Sequence, residues 1–583
     1  MYLERINSPK DVKALTLPQM ESLAEEMREA LLSRVSVCGG HCASNLGIVE
    51  LTIALHTVFD SPVDKFVFDV SHQSYCHKML TGRNRSYIDP EEFDKVTGYS
   101  SPEESEHDIF CLGHTSTSIS LASGLAKARD MKGQSYNVIA IIGDGSLGGG
   151  EALEGLNLAS ELKSNFIIVV NDNTMTIQKN HGGIFNNLEE LRNSKGKSTY
   201  NIFKSFGLDY VYVEDGNNIK SLIETFSEVK DIGHPIVVHV STKKGKGYAF
   251  AENNMEKWHG VKPFDIITGK DLVERGVSYQ RLTYEYLLDK ARANSNLAIV
   301  TAATPSVLEL NEEKRDALGS QYIDVGVSEE HAVALVSGMA KNGSRPVFAV
   351  YSSFFQRCYD QVSQDICINN SPAVFLIFSA SIYGTNDITH LGIFDIPMLS
   401  NIPNFVYLAP TCREEYFAML EWAIAQNKYP VGIRVPCGQM ILKDKDFPFD
   451  FDNIGKFELS TKGSKVALIG VGNFYAIAEK VSESLKQCGI NATMINPRFV
   501  TSLDKELLES LKQDHSVIVT IEDGVLDGGF GDKVASFYGD SDCRVLNYGY
   551  TKEFIDRFLP QEILERNGIT VENITNRILS LLK

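Results

Sequence analysis

GDGSLGGGEALEGLNLASELKSNFIIVVNDN, residues 143–173, decides how the first part of the chain folds. The apolar run VIAII (138–142) leads into Gly-Asp-Gly, a helical stretch follows, and a second apolar run, FIIVV (166–170), ends in Asn-Asp-Asn. Strand, helix and strand in that order make a βαβ unit, and runs this continuous belong to a parallel sheet covered on both faces. Such a unit sets Asp144 and Asn173 side by side at the carboxyl edge of the sheet.

Three readings of the stretch stand on its residues alone. Gly143, Gly145 and Gly148 have the GxGxxG spacing of a dinucleotide loop, a weak signal by itself. Against it, Asn171-Asp172-Asn173 replaces the acidic residue expected at the end of the next strand, and Asp144 would repel a close pyrophosphate. A divalent cation reverses that objection. One carboxylate, one amide oxygen and a nearby backbone carbonyl suit Mg²⁺ or Ca²⁺, with diphosphate oxygens completing the shell. The glycines and helix start at 148–152 can then offer N–H groups to phosphate. The third reading is a tight turn followed by an Asx-rich loop.

The same alternation continues along the chain. Strands are predicted at VFDV (67–70), PIVVHV (235–240), LAIV (297–300), VFAVY (347–351), AVFLIF (373–378), FVYLAP (405–410), VALIGVG (466–472) and SVIVTIEDG (516–524), and helices over 48–58, 117–128 and 150–161. The fold class is α/β, with three domains of mainly parallel sheets flanked by helices. Their predicted extents are 1–265, 285–442 and 461–583, joined by a linker at 266–284 and an Asp/Phe-rich connector at 443–460. A chain of 583 residues exceeds a single hydrophobic core.

A formal net charge of -19 excludes a nucleic-acid or anionic-membrane surface as the main partner. It does not exclude small anionic substrates, which one local arginine pocket can hold. MYLERINSPKDVK, at the start, has no signal-peptide pattern, and no run reaches the roughly 18–20 apolar residues of a membrane helix. The ten cysteines are scattered. Cys38 and Cys42 bracket His41, but no second pair follows at zinc-site spacing, so reduced thiols and a cytoplasmic protein are expected.

Longer motifs then narrow the reading. GGHCASNLGIVELTIALH (39–56), FDVSHQSYCHKMLTGR (68–83), GHTSTSIS (113–120), DVGVSEEHAVAL (324–335), YSSFFQRCYDQVSQD (351–365) and THLGIFDI (389–396) occur in this order. Together with GDG and its Asn-rich strand end, they resemble the 1-deoxy-D-xylulose-5-phosphate synthase family, of the transketolase-like, thiamine diphosphate-dependent group. The resemblance covers nearly the whole chain. It implies a transketolase-like fold, thiamine diphosphate and Mg²⁺ as cofactors, a homodimer, and a place in isoprene and thiamine biosynthesis. The implied reaction condenses pyruvate with D-glyceraldehyde 3-phosphate, with decarboxylation, to give 1-deoxy-D-xylulose 5-phosphate. The alternatives are a related acyloin or ketol transfer with another donor or acceptor, and a non-catalytic paralogue. The paralogue predicts loss of Asp144, Asn173 or Glu329, and all three are present.

Residue roles follow from the resemblance. Asp144, Asn173 and the backbone carbonyl of Met175 would hold the metal. His72, Gly113, His114, Gly143, Asp144, Gly145, Ser146, Asn173, Met175, Glu329 and Phe354 would bind the cofactor. Glu329, at a helix start, would hold and protonate the aminopyrimidine, which needs a dry pocket; otherwise it is a favourable N-terminal charge. Phe354 would stack on that ring; by itself it reads as a core aromatic. His41, His72, His259 and His390 would move protons, while His107, His181 and His239 have no comparable support. Arg357 would steer an anionic group.

The resemblance breaks at the acceptor pocket. A family segment resembling DRAGxxGADGxTH reads FSASIYGTNDITH (378–390), with Ser379 at an arginine position and Asn386 at a substrate-contacting aspartate. The family's RYPRG reads RVPCG (434–438), with Cys437 at a second arginine position, and Asn217 replaces the histidine of a DGH motif. A phosphate there loses charge-assisted bonds worth about 1.5–3 kcal/mol each. GVG at 470–472 reads as a structural strand–turn–helix.

Overall fold

The computed structural model describes residues 1–273, 276–443, 447 and 453–582. The chain divides into two compact units, Met1–Gly276 with Gly326–Ser328, and Val277–Val325 with Glu329–Lys583.

The first unit contains strands β1 (Gly40–His41), β2 (Lys65–Phe68), β3 (Val138–Gly143), β4 (Phe166–Asp172), β5 (Asp209–Val213), β6 (Pro235–Ser241) and β7 (Gly260–Val261). β2 to β6 form a parallel sheet in the order β2-β3-β4-β6-β5. Successive residues of a strand face opposite ways, and the two faces fill two cores. Ile139, Ile141, Ile167 and Val169 pack with helices Leu17–Cys38, Val49–Val58 and Ile219–Val229. Val138, Ala140, Ile142, Ile168 and Val170 pack with Ser118–Met131 and Gly150–Ala159. Both faces being covered explains why the strands read as unbroken apolar runs.

The strand predicted at 67–70 ends instead at Phe68. Val70 and Ser71 take left-handed backbone, φ 57 and 63, so the chain turns sharply. Asp69, at the turn, accepts hydrogen bonds from the N–H groups of Ser116 and Ser118 at 2.8 and 3.0 Å.

The second unit contains β8 (Leu297–Thr301), β9 (Tyr322–Asp324), β10 (Arg345–Tyr351), β11 (Val374–Phe378), β12 (Val406–Leu408) and β13 (Val431–Arg434), a parallel sheet ordered β12-β13-β11-β10-β8-β9. A further sheet has β14 (Glu458–Thr461), β15 (Lys465–Gly470), β16 (Thr493–Asn496), β17 (His515–Val525) and β18 (Arg544–Tyr550), ordered β14-β16-β15-β17-β18. Only β14 runs antiparallel among these described strands. It begins inside the segment read as connector, because Glu458–Leu459 continue the ladder on β16. Residues 444–446 and 448–452 of that connector, and 274–275 of the linker, lie outside the described residues.

One apolar cluster joins the two sheets of the second unit, running from Val300, Phe348 and Phe375 to Ile469, Ile495 and Ile518. Gly470 serves packing: a methyl there would lie 2.6 Å from the Cα of Tyr475, which opens the next helix. Among the described residues no helix is long and apolar enough to cross a membrane.

Candidate active site

β3 and β4 run in register with Gly143 opposite Asn171, so Asp144 and Asn173 follow adjacent strand ends. Asp144 is buried, and burial together with the neighbouring Asp172 charge holds its carboxyl well above the usual range, opposed by Lys244. A buried carboxyl short of positive charge is the setting that a divalent cation relieves. Its Oδ2 accepts from Asn180 Nδ2 at 2.7 Å, and Asn173 Oδ1 accepts from the Met175 N–H at 3.2 Å. Among the described residues no three His, Cys, Asp or Glu side chains gather as a metal centre. The donors here are oxygens from one carboxylate, one amide and the backbone, which suit Mg²⁺ completed by ligand oxygens.

The glycines at this edge are required by space. A methyl on Gly145 would lie 1.8 Å from Thr176 Cγ2, and one on Gly149 2.1 Å from Ser116 Oγ. Ser116 Oγ donates to the Ser146 carbonyl at 2.7 Å, which ties the segment carrying Gly113 and His114 to the Gly143–Ser146 turn. The middle residue of Asn171-Asp172-Asn173 is spent elsewhere: Asp172 pairs with His239 at 2.8 Å and with Arg192. His239 is therefore accounted for as that partner.

The short ladder of β1 on β7, with His41 opposite Gly260, brings His41 beside His259. Ring centroids stand 5.0 Å apart for His41 and His72, 5.6 Å for His41 and His259, and 5.5 Å for His72 and His259. Burial, then Lys244 and the other two imidazoles, hold His259 well below the usual histidine value. Sequence reasoning missed the residue that fastens this cluster. Asn45 Nδ2 donates to the carbonyls of His41 and His72 at 2.9 and 2.7 Å, and its Oδ1 accepts from the Tyr75 N–H at 3.1 Å. Asn45 lies inside a quoted motif, but an amide between two histidines carries no periodic signal. Asn217 does not join the cluster; its Nδ2 donates to the Gly47 carbonyl and to Glu50 at 3.1 and 3.0 Å.

In the second unit Glu329 opens helix Glu329–Lys341 and is buried. Burial pushes its carboxyl up to about 7, with Arg357 opposing. Its Oε2 accepts no hydrogen bond among the described residues, and Arg357 NH1 stands 3.6 Å away. A buried acceptor left open fits a ring nitrogen that donates to it. Phe354 is half-buried, with its ring 6.0 Å from Tyr351 and 5.4 Å from His390. Thr389 Oγ1 lies 2.8 Å from His390 Nδ1.

The acceptor-pocket positions are neutral. Ser379 takes left-handed backbone at φ 56. Asn386 Nδ2 donates to the Phe558 carbonyl at 3.3 Å. Burial pushes the Cys437 thiol up to about 11. Arg434 is itself enclosed: it pairs with Asp395 at 2.7 Å and Asp523 at 3.3 Å.

A buried Asp144 carboxyl beside Asn173 at parallel strand ends in one unit, and the buried Glu329 carboxyl pushed up to about 7 in the other, fit the thiamine diphosphate-dependent, transketolase-like class that the resemblance implies. Residues 3–201 and 193–242 match the family model described as 1-deoxy-D-xylulose-5-phosphate synthase; 277–440 match the transketolase pyrimidine binding domain and 455–574 the transketolase C-terminal domain. The chain is 38% identical over 618 residues to the 1-deoxy-D-xylulose-5-phosphate synthase of Clostridium tetani, covering 100% of this chain and 99% of that one. It is also 38% identical over 624 residues to the synthase of Caldanaerobacter subterraneus subsp. tengcongensis, covering 100% and 99%. The chain belongs to the 1-deoxy-D-xylulose-5-phosphate synthase family. Among solved structures, transketolase from Campylobacter jejuni is similar with a TM-score of 0.45 and 16% identity, over 97% of this chain and 100% of that one. The protein is accordingly a transketolase-like transferase that uses thiamine diphosphate and Mg²⁺.

Proposed function

We propose that the chain condenses pyruvate with D-glyceraldehyde 3-phosphate, with decarboxylation, to give 1-deoxy-D-xylulose 5-phosphate. The observation that carries the reaction class is Glu329, a buried carboxyl with an open oxygen and a proton affinity near neutrality. The full-length relatives, named for this product, supply the donor and acceptor. Thiamine diphosphate, when bound, supplies the nucleophilic carbon and the electron sink that pyruvate decarboxylation needs. Asp144, Asn173 and the Met175 carbonyl would hold Mg²⁺ in this reading. Gly113, His114, Gly143, Gly145 and Ser146 would receive the diphosphate, Phe354 would pack against the aminopyrimidine, and Glu329 would hold a proton for its ring nitrogen. His41, His72, His259 and His390 hold or move protons at the reacting carbonyls, and Arg357 attracts the anionic substrate. The protein works as a cytoplasmic homodimer with three domains, the second unit containing two of them.

A second reading keeps the cofactor chemistry and changes the acceptor. Its support is the neutral set Ser379, Asn386 and Cys437, and an Arg434 already matched by two carboxylates. One assay separates the two. Purified protein with thiamine diphosphate, Mg²⁺ and pyruvate is given glyceraldehyde 3-phosphate or unphosphorylated aldehydes, and carbon dioxide and product are measured. Turnover with glyceraldehyde 3-phosphate supports the synthase. Turnover confined to another aldehyde overturns the acceptor but keeps the reaction class.

A further inference from the structure

A second group of buried titratable side chains lies in the first unit, apart from the residues already assigned. Residues 93–117 run without helix or strand. A strap of that length has no ladder to satisfy its backbone and needs other fastening. Its Glu104 and Asp108 supply it. Lys78 Nζ donates to Glu104 at 2.6 Å and to the Thr97 carbonyl at 3.0 Å. Arg83 forks onto Asp108 at 2.7 and 3.0 Å, and the Ser101 N–H donates to the same carboxylate at 2.8 Å. His77 Nε2 stands 3.1 Å from Asp108 Oδ1, and His77 Nδ1 stands 2.9 Å from His56 Nε2.

These contacts fix the protons. An ionised carboxylate only accepts, so His77 Nε2 donates to Asp108; with His77 neutral its Nδ1 then accepts, and His56 Nε2 donates to it. His56, His77 and Asp108 are all buried. The strap they fasten carries Tyr99, whose ring meets His41 edge-on at 5.7 Å, and Ser116, which is bonded to Ser146. Helix Tyr75–Lys78 reaches the same cluster, since the Tyr75 hydroxyl accepts from the His41 N–H at 3.3 Å.

We infer that His77, oriented by His56, is a positioning residue: its bond to Asp108 fastens the 93–117 strap and thereby places Tyr99 and Ser116 against the histidine cluster and the Gly143–Ser146 turn. The importance of those two targets rests on the function proposed above. Lys13, Lys78, Arg83, His107 and Asp108 act on the pair, Lys65 acts on His107, and Glu104 is bonded to Lys78. Burial holds His56 well below and His77 below the usual histidine value, and His107 is brought down to about 4. A lowered imidazole means that the released strap binds more protons than the fastened one, so fastening weakens as pH falls below about 6.5.

Hydrogen exchange followed by mass spectrometry on the full chain tests this without substrate. His77→Leu removes the donor, whereas His77→Gln can keep one near the Nε2 position. The leucine variant should speed exchange across 93–117 about tenfold relative to β4 and raise the cofactor KM about tenfold, with kcat changed less than about threefold. The glutamine variant should return both to within about threefold of the parent. Strap exchange within about twofold of the parent in His77→Leu, or a glutamine variant no better than leucine, overturns the inference. Should His77→Leu not fold, the parent protein decides: between about pH 7.5 and 5.5 its strap must lose protection relative to β4 after correction for intrinsic rates. A strap unchanged over that range overturns the inference as well. A chain inert toward pyruvate sinks the proposed reaction, while the exchange result still decides this one.

Discussion

A glutamate at the first position of a helix is ordinarily an ionised charge that the helix terminus favours. Glu329 departs from that because it is buried with one oxygen open, and its carboxyl is pushed up to about 7. The sign of the consequence is definite. The folded state holds this proton more tightly than the unfolded state, so stability falls as pH rises from the ordinary carboxyl range through 7. The full cost above that range is about 3 kcal/mol. Glu329→Gln should therefore raise the melting temperature of the cofactor-free protein at about pH 8 and leave it nearly unchanged at about pH 5. The same change should lower turnover by about 10²–10⁴-fold. Differential scanning calorimetry at the two pH values and a saturating-cofactor assay check the pair. Unchanged turnover would overturn the role proposed for Glu329.

At the scale of elements, the turn after β3 and the loop after β4 are locked by shape. Gly145 has ordinary backbone at φ -61, so its need is for space, not for conformational freedom. Gly145→Ala drives a methyl into Thr176 and must move the turn on which Asn173, Met175 and Asn180 are arranged. Apparent Mg²⁺ and thiamine diphosphate affinities should fall more than about tenfold, with overpacking costing about 1–3 kcal/mol. Titration calorimetry reads both. The sequence displayed this part well, because strand runs and their end residues share one local pattern. Asp144 and Asn173 could be placed at neighbouring strand ends from it. Antiparallel β14 escaped, since ELST has no apolar run and is mostly exposed. Asn45, Tyr75 and the His56–His77–Asp108 chain escaped for another reason. Apart from the His41 carbonyl four residues from Asn45, their partners lie 21 to 34 residues away, joined by hydrogen bonds that leave no periodic trace. Asp172 was visible only as part of an Asx cluster; its pairing with His239, 67 residues on, separates it from the candidate metal donors.

For the whole molecule the deciding quantity is where positive charge is missing. The chain carries -19 overall, and Asp144 and Asp172 lie together under the carboxyl edge of the first sheet. Asp172 is matched by Arg192 and His239, while Asp144 has Asn180, the N–H groups of Asn173 and Gly145, and the charge of Lys244. Ionising Asp144 in the folded state thus calls for positive charge, which in the proposed reading a bound cation would supply, and binding to the folded state alone would add its free energy to stability. With thiamine diphosphate and Mg²⁺ each at about 100 times its dissociation constant, the first unit should gain about 2.7 kcal/mol per coupled binding event. That corresponds to a melting shift of roughly 5–10 °C for a unit of this size. Excess chelator should return the transition to its cofactor-free position. Asp144→Ala should abolish the shift while leaving the cofactor-free transition in place or raised, because the substitution also removes a buried carboxyl whose ionised form burial and Asp172 disfavour. If the alanine variant kept the full shift, Asp144 would not be the residue through which the cation stabilises the fold.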